Sequence, residues 1–314
     1  MGRLIYGTAW KKEVTAMLVY RAIKEGFRAI STAAQPKNYE ESLVALGVQQ
    51  AIDTGLVLRR DVYIQTTFTP AHSQAIERIV KTTRTGANPV WPCLQRTSIP
   101  SDCPYDPATS LAEQVESSLS SSLANFALMS SSPEDVYIDA VILHAPYPAR
   151  KDTEAVWTTL SAHVPHNVRR LGISNVNDEQ LHHLLDFCRA NPAMTAEPTI
   201  VQNKFCCDDD FDDAVRQICK ENGIEYQAFG VLRQNALLQD RESVGAVSEL
   251  AVVSREASLY ALIMALQDDM AVLDGTSDPR TMWADIDDVR RIKWCSGSPG
   301  WKKALDSFKK GIHD

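Results

Sequence analysis

Along the chain, short runs dense in apolar and β-branched residues alternate with longer stretches whose apolar positions recur every three or four residues. Leu4-Ile5-Tyr6 precedes a helical pattern over 13–24 that Gly26 closes, and Phe27-Arg28-Ala29-Ile30 precedes another over 40–53 that Gly55 closes. Further strand-like runs lie at 62–66, 136–143, 168–173, 199–202, 224–229 and 270–273. Helical patterns fall at 111–126, 153–163, 178–189, 212–222 and 244–266. Mostly apolar strands, each followed by a helix, suit a parallel sheet covered on both faces. About eight such units in about 300 residues predict an α/β chain folded as one (β/α)8 TIM barrel domain over residues 1–314. The open doubly wound sheet is the alternative, and no G-x-G-x-x-G follows the first strand to support it.

Two stretches break the alternation. Residues 71–107 carry several prolines and little periodicity, which predicts a long loop after the third strand, on the face where barrels keep their chemistry. Near the C-terminal end, Ser296-Gly297-Ser298-Pro299-Gly300 predicts a turn and then a short basic amphipathic helix, expected to cap or cover the barrel mouth.

Composition narrows the function. The chain has 314 residues, with 32 basic and 40 acidic side chains for a formal charge of -8, which opposes a general nucleic-acid surface. There is no run of about 18 apolar residues, so no membrane span is expected. Met1-Gly2-Arg3-Leu4 leads directly into the first strand, where a signal peptide would need an apolar region. Seven scattered cysteines without a CxxC pair or zinc spacing predict free thiols and a metal-free cytoplasmic protein. His182-His183 face different directions on a helix, and the acidic run Asp208-Asp209-Asp210 lacks the glycine pattern of a calcium loop. Cys206-Cys207 have no neighbour that would activate a thiolate.

The ends of the predicted strands are more specific. In order they read Gly7-Thr8-Ala9-Trp10, Ile30-Ser31-Thr32-Ala33 with Tyr39-Glu40-Glu41 beyond, and Leu143-His144-Ala145-Pro146. Then come Gly172-Ile173-Ser174-Asn175, Val201-Gln202-Asn203, Gly223-Ile224-Glu225-Tyr226-Gln227-Ala228-Phe229 and Leu273-Asp274-Gly275-Thr276. Together these segments resemble the aldo-keto reductases, especially their fungal members, in register through nearly the whole chain. The given sequence holds little of the hairpin that precedes the first strand in that family, and a less covered barrel floor is the expectation.

The resemblance implies NADP(H) lying extended across the strand ends. Ser174, Asn175 and Gln202 occupy the places that hold the nicotinamide carboxamide in the family, and Tyr226 stands as the aromatic that stacks on the ring. Gly7, Thr8, Gly275, Thr276 and Arg280 complete the expected cofactor contacts. Taken singly, Ser174 and Asn175 read as helix N-caps, and Gln202 and Tyr226 as satisfied buried polar groups. As a constellation in register they point to the cofactor. At the adenosine end only Arg280 is cationic, and Asp274, Asp278 and Asp285 oppose it. The Gly275-Thr276 amides at the start of a helix are the expected anion contact.

The family's catalytic tetrad is Asp, Tyr, Lys and His. Its Asp position is Ser31 here and its Lys position is Thr67, within Thr66-Thr67-Phe68, while Tyr39 and His144 remain. The lost residues are the two members of one ion pair, so their joint replacement by alcohols leaves a neutral site. Without the ammonium, Tyr39 is a weaker acid, and general-acid assistance worth about 10²–10⁴ is reduced. Three functions stay open. One is a reductase of a small-molecule (secondary-metabolite) carbonyl or activated alkene. The second is a non-redox isomerase, dehydratase or cyclase using Tyr39 and His144 as donors in a pocket walled by Trp10, Phe68, Trp91 and Tyr147. The third is a catalytically silent cofactor-binding protein.

Overall fold

A computed structural model describes residues 2–74, 76–80, 93–98, 103–130, 132, 135–192 and 194–312. Eight strands close a parallel barrel: β1 (Leu4–Gly7), β2 (Ala29–Ser31), β3 (Tyr63–Phe68), β6 (Ala140–Leu143), β7 (Leu171–Ser174), β8 (Ile200–Lys204), β9 (Glu225–Phe229) and β10 (Met270–Asp274). Around the ring the order is β1-β10-β9-β8-β7-β6-β3-β2. The predicted (β/α)8 barrel is therefore the observed fold. Two further strands, β4 (Ile76–Val80) and β5 (Cys93–Ser98), pair antiparallel within the stretch expected to be loop.

Register decides which side chains enter the barrel, because alternate residues of a strand face opposite sides. Gly7 pairs with Ser31, Ser31 with Gln65, and Thr67 with Ile142. Ile142 pairs with Gly172, Ser174 with Gln202, and Gln202 with Gln227. Gln227 pairs with Ala271, and Ile5 with Leu273, which returns the series to β1. One hydrogen bond proves the inward direction: Gln65 and Gln227, on strands that are not neighbours, meet at 2.8 Å across the interior.

The interior is layered as barrels of this size require. Its lower layer is apolar, with Ile5, Ala29 and Ala271 on one side and Ala140, Ile142 and Ile200 on the other, both packed on Tyr63. The Arg3 guanidinium lies 4.1 Å from the Tyr63 ring centre and pairs with Glu225, which Arg170 also holds at 2.8 Å. Above this floor lie Gln65 and Gln227, both fully buried. Outward-facing strand residues pack beneath the helices in one large core that includes Tyr6, Phe27, Phe126, Trp157 and Phe308.

Helices follow the expected amphipathic pattern. Leu111–Phe126 begins at Ser110, whose hydroxyl accepts from the Glu113 amide while Glu113 reaches back to the Ser110 amide. Two expectations are corrected. The single helix expected over 244–266 is two helices, Glu242–Ala251 and Arg255–Met264. Val252 turns left-handed at φ 55°, and Ser254 caps the second helix with its amide and hydroxyl both on Asp288. The C-terminal helix Pro299–Gly311 buries Trp301, Ala304 and Phe308 and packs on Glu242–Ala251 in the outer ring, instead of covering the mouth.

Candidate active site

The inward register brings Gly7, Ser31, Thr67, Ser174, Gln202 and Phe229 to the C-terminal rim of the barrel, and His144 follows β6 immediately. Ser31, Thr67 and His144 thus come from three adjacent staves, β2, β3 and β6. The Ser31 hydroxyl oxygen accepts from Gln65 Nε2 at 3.1 Å. Thr67 donates to the Thr32 carbonyl at 3.2 Å. Where the ion pair was expected to be lost, two alcohols are tied to the barrel by neutral hydrogen bonds.

His144 is fixed from three sides. Its amide donates to Phe68 O at 2.9 Å, its carbonyl accepts from Asn175 Nδ2 at 2.8 Å, and its Nδ1 meets the Thr69 hydroxyl at 2.9 Å. Thr69 is itself fully buried, and its carbonyl accepts the Tyr105 hydroxyl at 2.5 Å. Burial, with His72 nearby, lowers the His144 pKa to about 4, so the ring is neutral at physiological pH. With Nδ1 engaged, Nε2 is the nitrogen left for a ligand.

Tyr39 sits on the loop after β2, its amide on Gln35 O at 3.0 Å. Burial raises its pKa, and no cation opposes that rise. Tyr39 and His144 are thus both neutral at physiological pH.

Ser174 donates to the Gln202 carbonyl at 2.5 Å and accepts from Asn175 Nδ2 at 3.1 Å. Asn175 adopts φ 54°, and the helix Asp178–Ala190 is capped by Asn177, so the N-cap role falls to Asn177 and leaves Ser174 and Asn175 to the rim. Gln202 donates its Nε2 to Gln227 Oε1 at 3.0 Å, while its own Oε1 has no partner among the described residues. Thr8 is fully buried, its hydroxyl on Ser31 O at 2.9 Å, and it supports the rim from behind.

Tyr226 is not at the rim. It lies on the outward register, fully buried, with its hydroxyl on Asp212 Oδ2 at 2.7 Å beneath the helix Asp213–Asn222. The inward aromatic at the end of β9 is Phe229, half-exposed and lining a cleft of about 690 Å³ with Asn175 and Lys204. Phe229 lies within the quoted segment, three positions on, and an odd offset in a strand reverses the face.

The pocket walls also differ from expectation. Phe68 is 3% exposed, on the outward register against Tyr105, whereas Trp10 is 66% exposed and donates its Nε1 to Asn38 at 3.0 Å. Tyr147 is half-buried and stands edge-on to His72. Trp91 lies outside the described residues.

After β10 one of the two amides expected to contact an anion, that of Thr276, is already satisfied internally. The Thr276 amide donates to Asp274 Oδ1 at 2.9 Å, and the Arg280 amide to Asp278 Oδ1 at 2.9 Å. Arg280 is paired with Asp278 and points into solvent. The cation that engages this turn is Lys11, missed by the sequence reading although it directly follows Trp10. It is buried, and its Nζ reaches Gly275 O, Thr276 O at 3.2 Å and Ser277 Oγ at 2.9 Å. Among the described residues no group of three or more His, Cys, Asp or Glu is arranged to hold a metal ion, and no helix is long and apolar enough to cross a membrane.

The barrel matches known structures in its fold. The fold is that of an aldo-keto reductase from Brucella melitensis (TM-score 0.62, 17% identity, 93% of each chain). It is equally that of the Bombyx mori aldo-keto reductase in complex with NADP (TM-score 0.63, 18% identity, 98% of this chain and 88% of that one). A deep-sea metagenome aldo-keto reductase, MGS-M4, matches at TM-score 0.61 and 16% identity, over 94% of this chain and 91% of that one. In sequence, 55 residues are 46% identical to the NAD(P)H-dependent D-xylose reductase of Pachysolen tannophilus, a match that spans 18% of this chain and 17% of that enzyme. No family model matches the chain. The chain has the aldo-keto-reductase fold.

Proposed function

We propose that this barrel is an NADP(H)-dependent oxidoreductase that acts on a small-molecule carbonyl or activated alkene with neutral proton donors. The observation that carries the reading is the rim itself. Ser31, Thr67, His144, Ser174, Gln202 and Phe229 share the rim face, and Gln202 presents an amide oxygen that has no partner among the described residues. A free acceptor at the rim fits a carboxamide N–H, so the residues present suit a nicotinamide end. The NADP in the Bombyx mori structure and the NAD(P)H dependence of the xylose reductase support the same assignment.

The bound nicotinamide would supply the hydride. Gln202 and Asn175 would orient its carboxamide, and Phe229 would offer stacking area, which fixes the face presented to substrate. His144, neutral and held at Nδ1 by Thr69, would donate a hydrogen bond from Nε2 to the substrate oxygen. Tyr39 would complete the proton supply. Because no ammonium lowers its pKa, the site favours substrates whose reduced oxygen or carbon needs little acid assistance.

A second reading has its own observation. The Thr276 and Arg280 amides are occupied by Asp274 and Asp278, so the adenosine end offers few free anion contacts. A non-redox isomerase, dehydratase or cyclase working through Tyr39 and His144 is consistent with that. Titrating NADPH against intrinsic fluorescence separates the two. Saturable quenching at micromolar NADPH, lost in Gln202→Leu, supports the oxidoreductase. No quenching up to millimolar NADPH favours the non-redox enzyme.

A further inference from the structure

The interior of the barrel carries a chain of side-chain hydrogen bonds that runs from its floor to the rim. At the floor, Glu225 is held by Arg3 at 2.9 Å and Arg170 at 2.8 Å. Burial would raise its pKa, but the two guanidinium groups and the Gln227 amide outweigh that and lower it, so the group is a carboxylate. A carboxylate only accepts hydrogen bonds. The Gln227 atom 3.0 Å from Glu225 Oε1 must therefore be its NH2, which turns Gln227 Oε1 the other way. That oxygen accepts from Gln65 Nε2 at 2.8 Å and from Gln202 Nε2 at 3.0 Å. Gln202 then has one orientation left, with its carbonyl oxygen toward the rim. By the same logic Gln65 turns its NH2 to Ser31 Oγ at 3.1 Å, which leaves the Ser31 proton to point into the site.

Amide orientations are usually ambiguous, because nitrogen and oxygen are nearly the same size. Here a fixed charge removes the ambiguity through two successive amides. We infer that Gln227 is a positioning residue: with Gln65 it transmits the polarity of Glu225 to the rim, which makes Gln202 an obligate acceptor and Ser31 a donor toward the ligand. The ligand group above Gln202 must then carry an N–H or O–H. In the nicotinamide reading, on which this specificity rests, that group is the carboxamide NH2. The buried amides serve as more than core, since an apolar pair would fill the same space without fixing any direction.

Two measurements test it. In protein labelled with 15N-glutamine, the Gln202 side-chain NH2, assigned from its loss in Gln202→Leu, exchanges slowly with solvent in the wild type and freely in Gln227→Met. Fast exchange of that group in the unaltered protein overturns the inference, with no need for the variant to fold or for any cofactor to bind. The second measurement compares NADPH with its 3-acetylpyridine analogue, which has no N–H on that substituent. The wild type should prefer NADPH about tenfold, and Gln227→Met should bring the two near parity with 2′-phospho-ADP-ribose binding unchanged. An unchanged preference in a folded Gln227→Met overturns the inference. Absence of NADPH binding in the wild type overturns the cofactor reading alone, and the exchange rate then decides the polarity by itself.

Discussion

Asp285 and Asp274 form a buried carboxyl pair beneath the turn that Lys11 holds, and replacing Asp285 by Asn should reverse part of the protein's response to alkaline pH. The two are 4% and 2% exposed. Asp274 Oδ1 accepts the Thr276 amide, and among the described residues Asp274 Oδ2 has no hydrogen-bond donor unless Asp285 is protonated. Burial, then the neighbouring Asp274 charge, pushes Asp285 up to about 8. In the unfolded chain both carboxyls ionise near 3.9. Between those limits the folded protein holds one proton more than the unfolded one. Stability from the pair is fully present below the unfolded pKa and falls with rising pH at up to about 1.4 kcal/mol per unit. From pH 6 to 8, with protonation half lost at the upper end, the pair should forfeit ~2 kcal/mol. Asn at 285 still donates to Asp274 but binds no titrating proton. Urea unfolding followed by circular dichroism at pH 6, 7 and 8 should show the wild type losing about that much relative to Asp285→Asn. Parallel stability curves for the two proteins would refute the shared proton.

Other consequences are equally accessible. Tyr39→Phe should lower turnover of the native substrate about 10–100-fold, less than a fully activated acid would lose, as read from kcat with folding checked by circular dichroism. The double variant Ser31→Asp, Thr67→Lys should restore an ammonium near Tyr39. At roughly 4 Å and an effective dielectric of about 20 this favours the phenolate by ~4 kcal/mol, so NADPH-dependent reduction of simple aldehydes should rise and the Tyr39 absorbance titration should shift to lower pH. His144 should titrate near 4 in imidazole NMR spectra. Its folded pKa lies below the ordinary 6.5, so its contribution is present above pH 6.5 and lost on acidification toward 4, about 3 kcal/mol in total. Thr69→Val should release His144 Nδ1 and lower kcat more than it changes KM, while burial and His72 keep the ring's pKa well below the ordinary value.

Much of this was legible in the sequence for a physical reason. Strand and helix periods are local properties, so all eight barrel strands and the helix Leu111–Phe126 were visible, the latter to its Ser110 cap. The split at Val252 was not, because the apolar pattern runs straight through and only the left-handed backbone with the Asp288 contact breaks it. The rim residues Ser31, Thr67, His144, Ser174 and Gln202 were readable from their places at strand ends. The aromatic was misplaced from Phe229 to Tyr226, since motif matching gives a segment whereas register gives a face. The capture of the Thr276 and Arg280 amides by Asp274 and Asp278, and the grip of Lys11 on the same turn, needed three dimensions. Gln65 and Gln227 look like ordinary polar alternations in a strand, and only closure of the barrel makes them interior.

The central claim is that a rim stripped of its ion pair still seats a nicotinamide. A crystal structure of the protein grown with NADPH measures this directly. It should show the ring against Phe229, with its carboxamide nitrogen within hydrogen-bond distance of Gln202 Oε1 and the reactive carbon facing His144 and Tyr39. Crystals saturated with NADPH that show no dinucleotide at that rim, or one bound elsewhere on the barrel, would contradict it.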